Sequence, residues 1–217
     1  MARLKTAVLI SGRGSNLQAL IDACRDPAFP AEIRLVISNR PGVAGLDRAR
    51  AAGIPSRVID HKTYLDRAGF DEAVDRALVE AGIELVCLAG FMRMLGDGFV
   101  AKWRDRLINI HPSLVPAFKG LHTHERTLAA GVRFTGCPVH FVRPAMDDGP
   151  IIVQAAVPVL PGDDAGRLAE RVLAAEHQAY PLALRFIAER RVKIVAERVE
   201  IAGAGDRHPQ AILNPQG

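Results

Sequence analysis

The chain has 217 residues, 49% apolar and 24% charged, with a net charge of +4 and 5% aromatics. That is enough for one domain with a full core, while no apolar run approaches the roughly 18 residues of a membrane span, and aromatics are too few for a base-stacking platform. Basic residues alternate with acids, as in ERRVKIVAERVE, and Cys24, Cys87 and Cys137 form no CxxC pair, so the expectation is a cytoplasmic protein acting on small molecules, with no nucleic acid and no membrane.

Taken in chain order, Thr6–Ile10 reads as a buried strand running into Gly12 and Gly14. Ser15 can then cap a helix whose Leu17, Leu20, Ile21 and Cys24 make one apolar stripe. Ile33–Ile37 is a second strand, Gly45–Ala52 a second helix, and a short strand follows near Val58. Phe70–Ala81 is a third helix, Leu85–Leu88 a fourth strand and Leu107–Ile110 a fifth. These strands are continuous apolar runs, the pattern of parallel strands covered on both faces. The order predicts an α/β fold: a doubly wound, mostly parallel twisted sheet with helices on both faces. After about residue 133, CPVHFV and IIVQAAVPV read as two strands joined by RPAMDDGP, and a long helix runs from Asp164 to about Glu189. The predicted domain covers residues 1–190, its N-terminal half about 1–110 and its C-terminal half about 111–190. Residues 191–217 are an appendage of strand and tail, and AGAGDRHPQAILNPQG reads as surface tail.

Four stretches can carry chemistry. In SGRGSNL, residues 11–17, glycines and a helix N-terminus favour an anion. The dinucleotide fingerprint fails, because Leu17 takes the third glycine position and Ser38-Asn39 stand where an acid is expected. A single phosphate held by Ser15 and Asn16 fits better; a plain tight turn is the alternative. In NIHPSLVPAFKG, residues 109–120, Asn109 and His111 are two apart and share a face at a strand's carboxyl end, where open α/β sheets bind ligands. Asn can donate to an oxyanion and His can act as acid or base, or the pair simply ends a strand. In MDDGP, Asp147 or Asp148 could favour the imidazolium form of His111, although DDGP is also good turn sequence. In AGFMRML, Met92, Met94 and Leu95 could line a soft apolar pocket, or begin a core helix. His122-Thr-His124 is half a metal site at most and reads as a surface turn; no metal is expected.

LISGRGSNLQALIDA, LAGFMRML, NIHPSLVPAFKGLHTH, VHFV and DDGPII occur together in an order that resembles the phosphoribosylglycinamide formyltransferase family, from about residue 5 to 190. The resemblance implies a Rossmann-like enzyme that moves the formyl group of 10-formyltetrahydrofolate, its co-substrate, onto the amine of glycinamide ribonucleotide in purine synthesis. It also implies roles: Asn109, His111 and Asp147 as catalytic trio; Gly14, Ser15, Asn16 and Glu176 for the ribonucleotide; Arg67, Met92, Arg93, Met94, Leu95 and Asn109 for the folate. The chain departs from the pattern at Asp148, where the family has glycine, so which carboxylate faces His111 stays open. Two alternatives are a stand-alone 10-formyltetrahydrofolate deformylase and a non-catalytic nucleotide-binding module. The short extensions at either end argue against the superfamily members that carry an extra regulatory or nucleic-acid-binding domain. Oligomeric state is open.

Overall fold

The computed structural model describes residues 2–203 and residue 214. Nine strands are present among them: β1 (Leu4–Ile10), β2 (Ala31–Ser38), β3 (Ser56–Val58), β4 (Leu85–Leu88), β5 (Leu107–Ile110), β6 (Phe134–Phe141), β7 (Ile151–Pro158), β8 (Val192–Val195) and β9 (Arg198–Ile201). Six α-helices connect them: α1 (Ser15–Cys24), α2 (Ala44–Ala51), α3 (Arg67–Glu80), α4 (Asp97–Lys102), α5 (Thr123–Ala129) and α6 (Ala165–Ala188). β1 to β7 form one sheet in the order β3-β2-β1-β4-β5-β6-β7, while β8 and β9 form a separate hairpin. β1 to β5 run parallel, and β6 and β7 are antiparallel to their neighbours. The doubly wound, mostly parallel sheet is therefore as expected.

Period-two alternation in the central strands builds two cores, one on each face of the sheet. Ala7, Leu9, Val86 and Leu88 pack with Phe70, Val74 and Leu78 of α3, Phe99 of α4 and Trp103 just after it. Val8, Ile10, Cys87 and Ile108 pack with Leu17 and Leu20 of α1 and Tyr180 and Leu184 of α6. Each fully buried Leu or Ile contributes about 1.5–3 kcal/mol, so both layers are needed to hold strands this apolar. Tyr180 also gives its hydroxyl to the Leu88 carbonyl at 2.9 Å, which ties α6 to the end of β4. α6 continues past Pro181 as one helix, and Asp164 caps it by accepting from Arg167 N–H at 2.8 Å. Among the described residues no helix is long and apolar enough to cross a membrane.

Several local expectations need correction. Ser15 does not cap α1: Gly14 holds that position in the left-handed conformation, φ 69°, and no side chain caps the helix. α2 leans on this turn so closely that a Cβ on Gly14 would lie 2.7 Å from Gly45 Cα, which only glycine permits. α3 begins at Arg67, one turn before Phe70, because the Asp66 side chain accepts from Gly69 N–H at 2.8 Å. AGFMRML begins no helix; its residues lie in the loop before α4. α4 and α5 were not anticipated, being too short to show periodicity. His122-Thr-His124 is not a surface turn: His122 takes φ 56° and opens α5. Residues 192–201 form a regular hairpin. The stretch read as surface tail lies mostly outside the described residues.

Candidate active site

β1 and β4 are neighbours that continue into helices on opposite faces, so a crevice opens beyond their carboxyl ends. β5 adds Asn109 to that edge, with Leu88 beside it on β4 and His140 on β6. The β6–β7 register slips between Val139 and His140, and such a bulge re-aims a side chain. His140 Nε2 lies 3.4 Å from Asn109 Nδ2, while Nδ1 lies 3.0 Å from the Phe141 carbonyl. With Nδ1–H donating to that carbonyl, Nε2 is an acceptor for one Asn109 amide hydrogen, and the other stays available. Burial pushes the His140 imidazole below the usual histidine range, outweighing the opposing hydrogen bond to Phe141, which agrees with a neutral ring.

His111 follows β5 directly and is 7% exposed. Its Nδ1 lies 3.3 Å from Asp147 Oδ1 and its Nε2 lies 3.2 Å from the Phe118 carbonyl. Both ring nitrogens therefore lie beside oxygen atoms that can accept a hydrogen bond. The prolines have a local purpose: residues 112–118 curl so that the buried Ser113 hydroxyl meets the carbonyls of Ala117 and Phe118, at 2.8 and 3.1 Å. Gly120 N–H then holds Asp147 Oδ2 at 2.8 Å, leaving Oδ1 turned to His111. Asp148 instead pairs with Lys119 at 3.0 Å. The adjacent carboxylates are thus separated by geometry. Asp147 sits at φ 46°, a strained backbone for a residue with a side chain.

On the β1 side, Asn16 Nδ2 donates to Glu176 Oε2 at 2.7 Å, so the Gly-rich turn and α6 meet. Burial pushes the Glu176 carboxyl above the usual range, and the Asn16 amide opposes it. Asn16 Oδ1 is buried without a protein partner among the described residues.

On the β4 side, Arg93, Met94 and Leu95 line a cleft of about 130 Å³ together with Asn109, His140 and Asp147. Met92 does not line it; its side chain is 58% exposed. Its backbone is nevertheless fixed: Met92 N–H donates to Ser11 Oγ at 2.7 Å, and Ser11 donates to Asn39 Oδ1 at 2.6 Å. Gly96 N–H is held likewise by the Asp71 carboxylate at 2.7 Å. Arg67 lies apart from that cleft, in a separate cavity of about 680 Å³ between α3 and α4 that Gly96 also lines. That larger space contains none of Asn109, His111 and Asp147, so size does not locate the chemistry. Among the described residues no group of three His, Cys, Asp or Glu could hold a metal ion.

Asn109, His111 and Asp147 thus converge, as do Asn16 and Glu176, and Arg93 to Leu95 face the first group. Sequence reasoning missed His140, Ser11, Asn39 and Arg143. His140 was legible in part, because VHFV puts a lone imidazole in an otherwise apolar run. Asn39 was seen only as the absence of an acid.

A family model described as formyl transferase matches residues 4–184. The trifunctional purine biosynthetic protein adenosine-3 of Gallus gallus is 56% identical over 88% of this chain, yet the chain spans only 19% of that relative. The phosphoribosylglycinamide formyltransferase of Escherichia coli (strain K12) is 42% identical, with 88% of this chain and 90% of the relative covered. Among solved structures, glycinamide ribonucleotide transformylase 1 from Symbiobacterium toebii superposes with a TM-score of 0.89 at 47% identity, over 92% of this chain and 94% of that one. A formyltetrahydrofolate deformylase from Burkholderia mallei is more distant, 28% identical with a TM-score of 0.83, over 92% of this chain and 70% of that one.

Proposed function

The chain belongs to the formyl transferase family, and on that premise we propose that it transfers the formyl group of 10-formyltetrahydrofolate to the amine of glycinamide ribonucleotide. The observation that carries the reading is the convergence of Asn109, His111 and Asp147 between two unlike loops. Gly14, Ser15, Asn16 and Glu176 take the ribonucleotide, its phosphate at the Gly-rich turn and its sugar near Glu176. Met92 to Leu95 take the folate, with backbone groups meeting the flat heterocycle and Arg67 further out.

The amine nitrogen attacks the formyl carbon on N10, and the carbonyl electron pair moves to oxygen. The free Asn109 amide hydrogen donates to that oxyanion, and His111 Nε2–H joins it in exchange for the Phe118 carbonyl, while the Asp147 carboxylate orients the ring from the Nδ1 side. Collapse of the intermediate breaks the bond from carbon to N10. The proton lost by the attacking nitrogen reaches N10, leaving tetrahydrofolate and the formylated amide.

The test is donor consumption by the pure chain with and without glycinamide ribonucleotide. Strong dependence on the amine is expected. Equal loss without it would identify a deformylase, and binding without turnover a nucleotide-binding module.

A further inference from the structure

Arg143 lines the same cleft as Asn109 and Asp147, and its side chain is only 8% exposed. Each nitrogen of its guanidinium is engaged. Nε donates to Glu197 at 2.6 Å, Nη2 to Asp105 at 2.8 Å and Nη1 to the Val142 carbonyl at 3.1 Å. Arg143 also opens the segment, residues 143–150, that carries Asp147. The end of that segment sits on its stem: a Cβ on Gly149 would lie 2.9 Å from Arg143 Cγ and 2.2 Å from the Phe141 carbonyl. The segment therefore begins and ends against one buried arginine, whose charge is met by two distant acids.

Both acids stand where glycine would be easier. Ala196 and Glu197 form the two-residue turn between β8 and β9, with φ of 47° and 58°. A tight hairpin turn with both φ positive favours Asn-Gly, and glycine adopts the conformation without steric cost. Asp105, between α4 and β5, is also at φ 58°. Two carboxylates are thus held in strained backbone, and they meet on the same guanidinium. Such strain persists where the surrounding structure uses the side chain. Exposed ion pairs stabilise little by themselves, and Glu197 is half exposed. Removing it would instead leave a buried Arg143 donor unmet.

We propose that the hairpin β8–β9, which lies outside the main sheet, supports the active cleft from behind: Glu197, aided by Asp105, is a positioning residue that fixes Arg143 and with it the segment presenting Asp147 to His111. The functional half of this rests on the role given to Asp147 above.

The test compares the full chain with Glu197→Gly, Glu197→Gln and the double change Glu197→Gly with Asp105→Gly. Hydrogen exchange of residues 143–150, thermal melting and steady-state kinetics are read on each. Glu197→Gly should melt no lower than wild type, since glycine relieves the turn, while its 143–150 amides exchange roughly tenfold faster through local opening. Turnover should fall about three- to tenfold, as Asp147 is presented less firmly to His111, with the Michaelis constant for the ribonucleotide unchanged. Glu197→Gln, which keeps an acceptor, should fall between, and the double change should exceed Glu197→Gly. Unchanged exchange at 143–150, or faster exchange across the whole chain with a lower melting temperature, overturns the proposal. So does an unchanged turnover in Glu197→Gly when wild type turns over. If wild type moves no formyl group to any acceptor, the proposed function falls, and the exchange data still decide whether the hairpin holds the segment.

Discussion

Asn16 and Glu176, 160 residues apart in the chain, share a hydrogen bond of 2.7 Å that closes the Gly-rich turn against α6. Burial holds the Glu176 carboxyl above its ordinary value of 4.5, against the Asn16 amide. The folded chain then keeps a proton that the unfolded chain has released. Stability from this group falls as pH rises from about 4.5 through the folded value, and the cost is complete above it. Glu176→Gln removes the titration and keeps an acceptor. The variant should melt higher than wild type at neutral pH, and the advantage should vanish at about pH 4. Melting curves across that range are the check; a gain that grows on acidification contradicts the assignment. Affinity for the ribonucleotide should fall in the same variant.

Asp147 and Asp148 should separate sharply. Asp147 Oδ1 lies 3.3 Å from His111, whereas Asp148 makes a surface pair with Lys119. Asp147→Asn is expected to lower turnover roughly 10²-fold with smaller changes in either Michaelis constant, because it removes transition-state stabilisation. Asp148→Asn should stay within about twofold of wild type, since exposed pairs contribute only about 0–1 kcal/mol. Turnover and both Michaelis constants of the two variants decide it, and a reversed order would reassign the catalytic carboxylate.

His140 should act through Asn109. Its Nε2 accepts one amide hydrogen and so aims the other into the cleft. His140→Ala is expected to cost about tenfold in turnover, less than the ~10²–10³-fold of losing an oxyanion donor outright. His140→Gln, which retains an acceptor, should recover part of it. Kinetics of His140→Ala indistinguishable from wild type would leave Asn109 oriented by something else.

Ser11 and Ser15 are four residues apart and should affect different substrates. Ser15→Ala is expected to raise the ribonucleotide constant alone. Ser11→Ala leaves Met92 N–H and Asn39 Oδ1 unmet, so it should destabilise by about 1–3 kcal/mol and raise the folate-donor constant. Both constants for both variants are measurable in one assay series. Equal weakening of both substrates by Ser15→Ala would make the Gly-rich turn a fold element only.

The sequence by itself determined the sheet and its strand-to-helix alternation. Strands as apolar as AVLI and LVCL are stable only when covered on both faces, so a doubly wound arrangement was already implied. It also placed Asn109 and His111 on one face, because the strand period is two. Short elements were not legible: α4 spans less than two turns and has too few residues to show a period. The hairpin turn Ala196-Glu197 was hidden for another reason, since it lacks the glycine that normally marks such a turn. What only the tertiary structure decided was pairing across the chain. Two adjacent aspartates are equivalent in a list of residues; Gly120 N–H and the left-handed backbone at Asp147 make them different. Asn16 meeting Glu176, Ser11 meeting Met92 and Arg143 meeting Glu197 depend on which strand ends lie side by side. Local propensity has no access to that, because these contacts form between groups brought together by burial of the two cores.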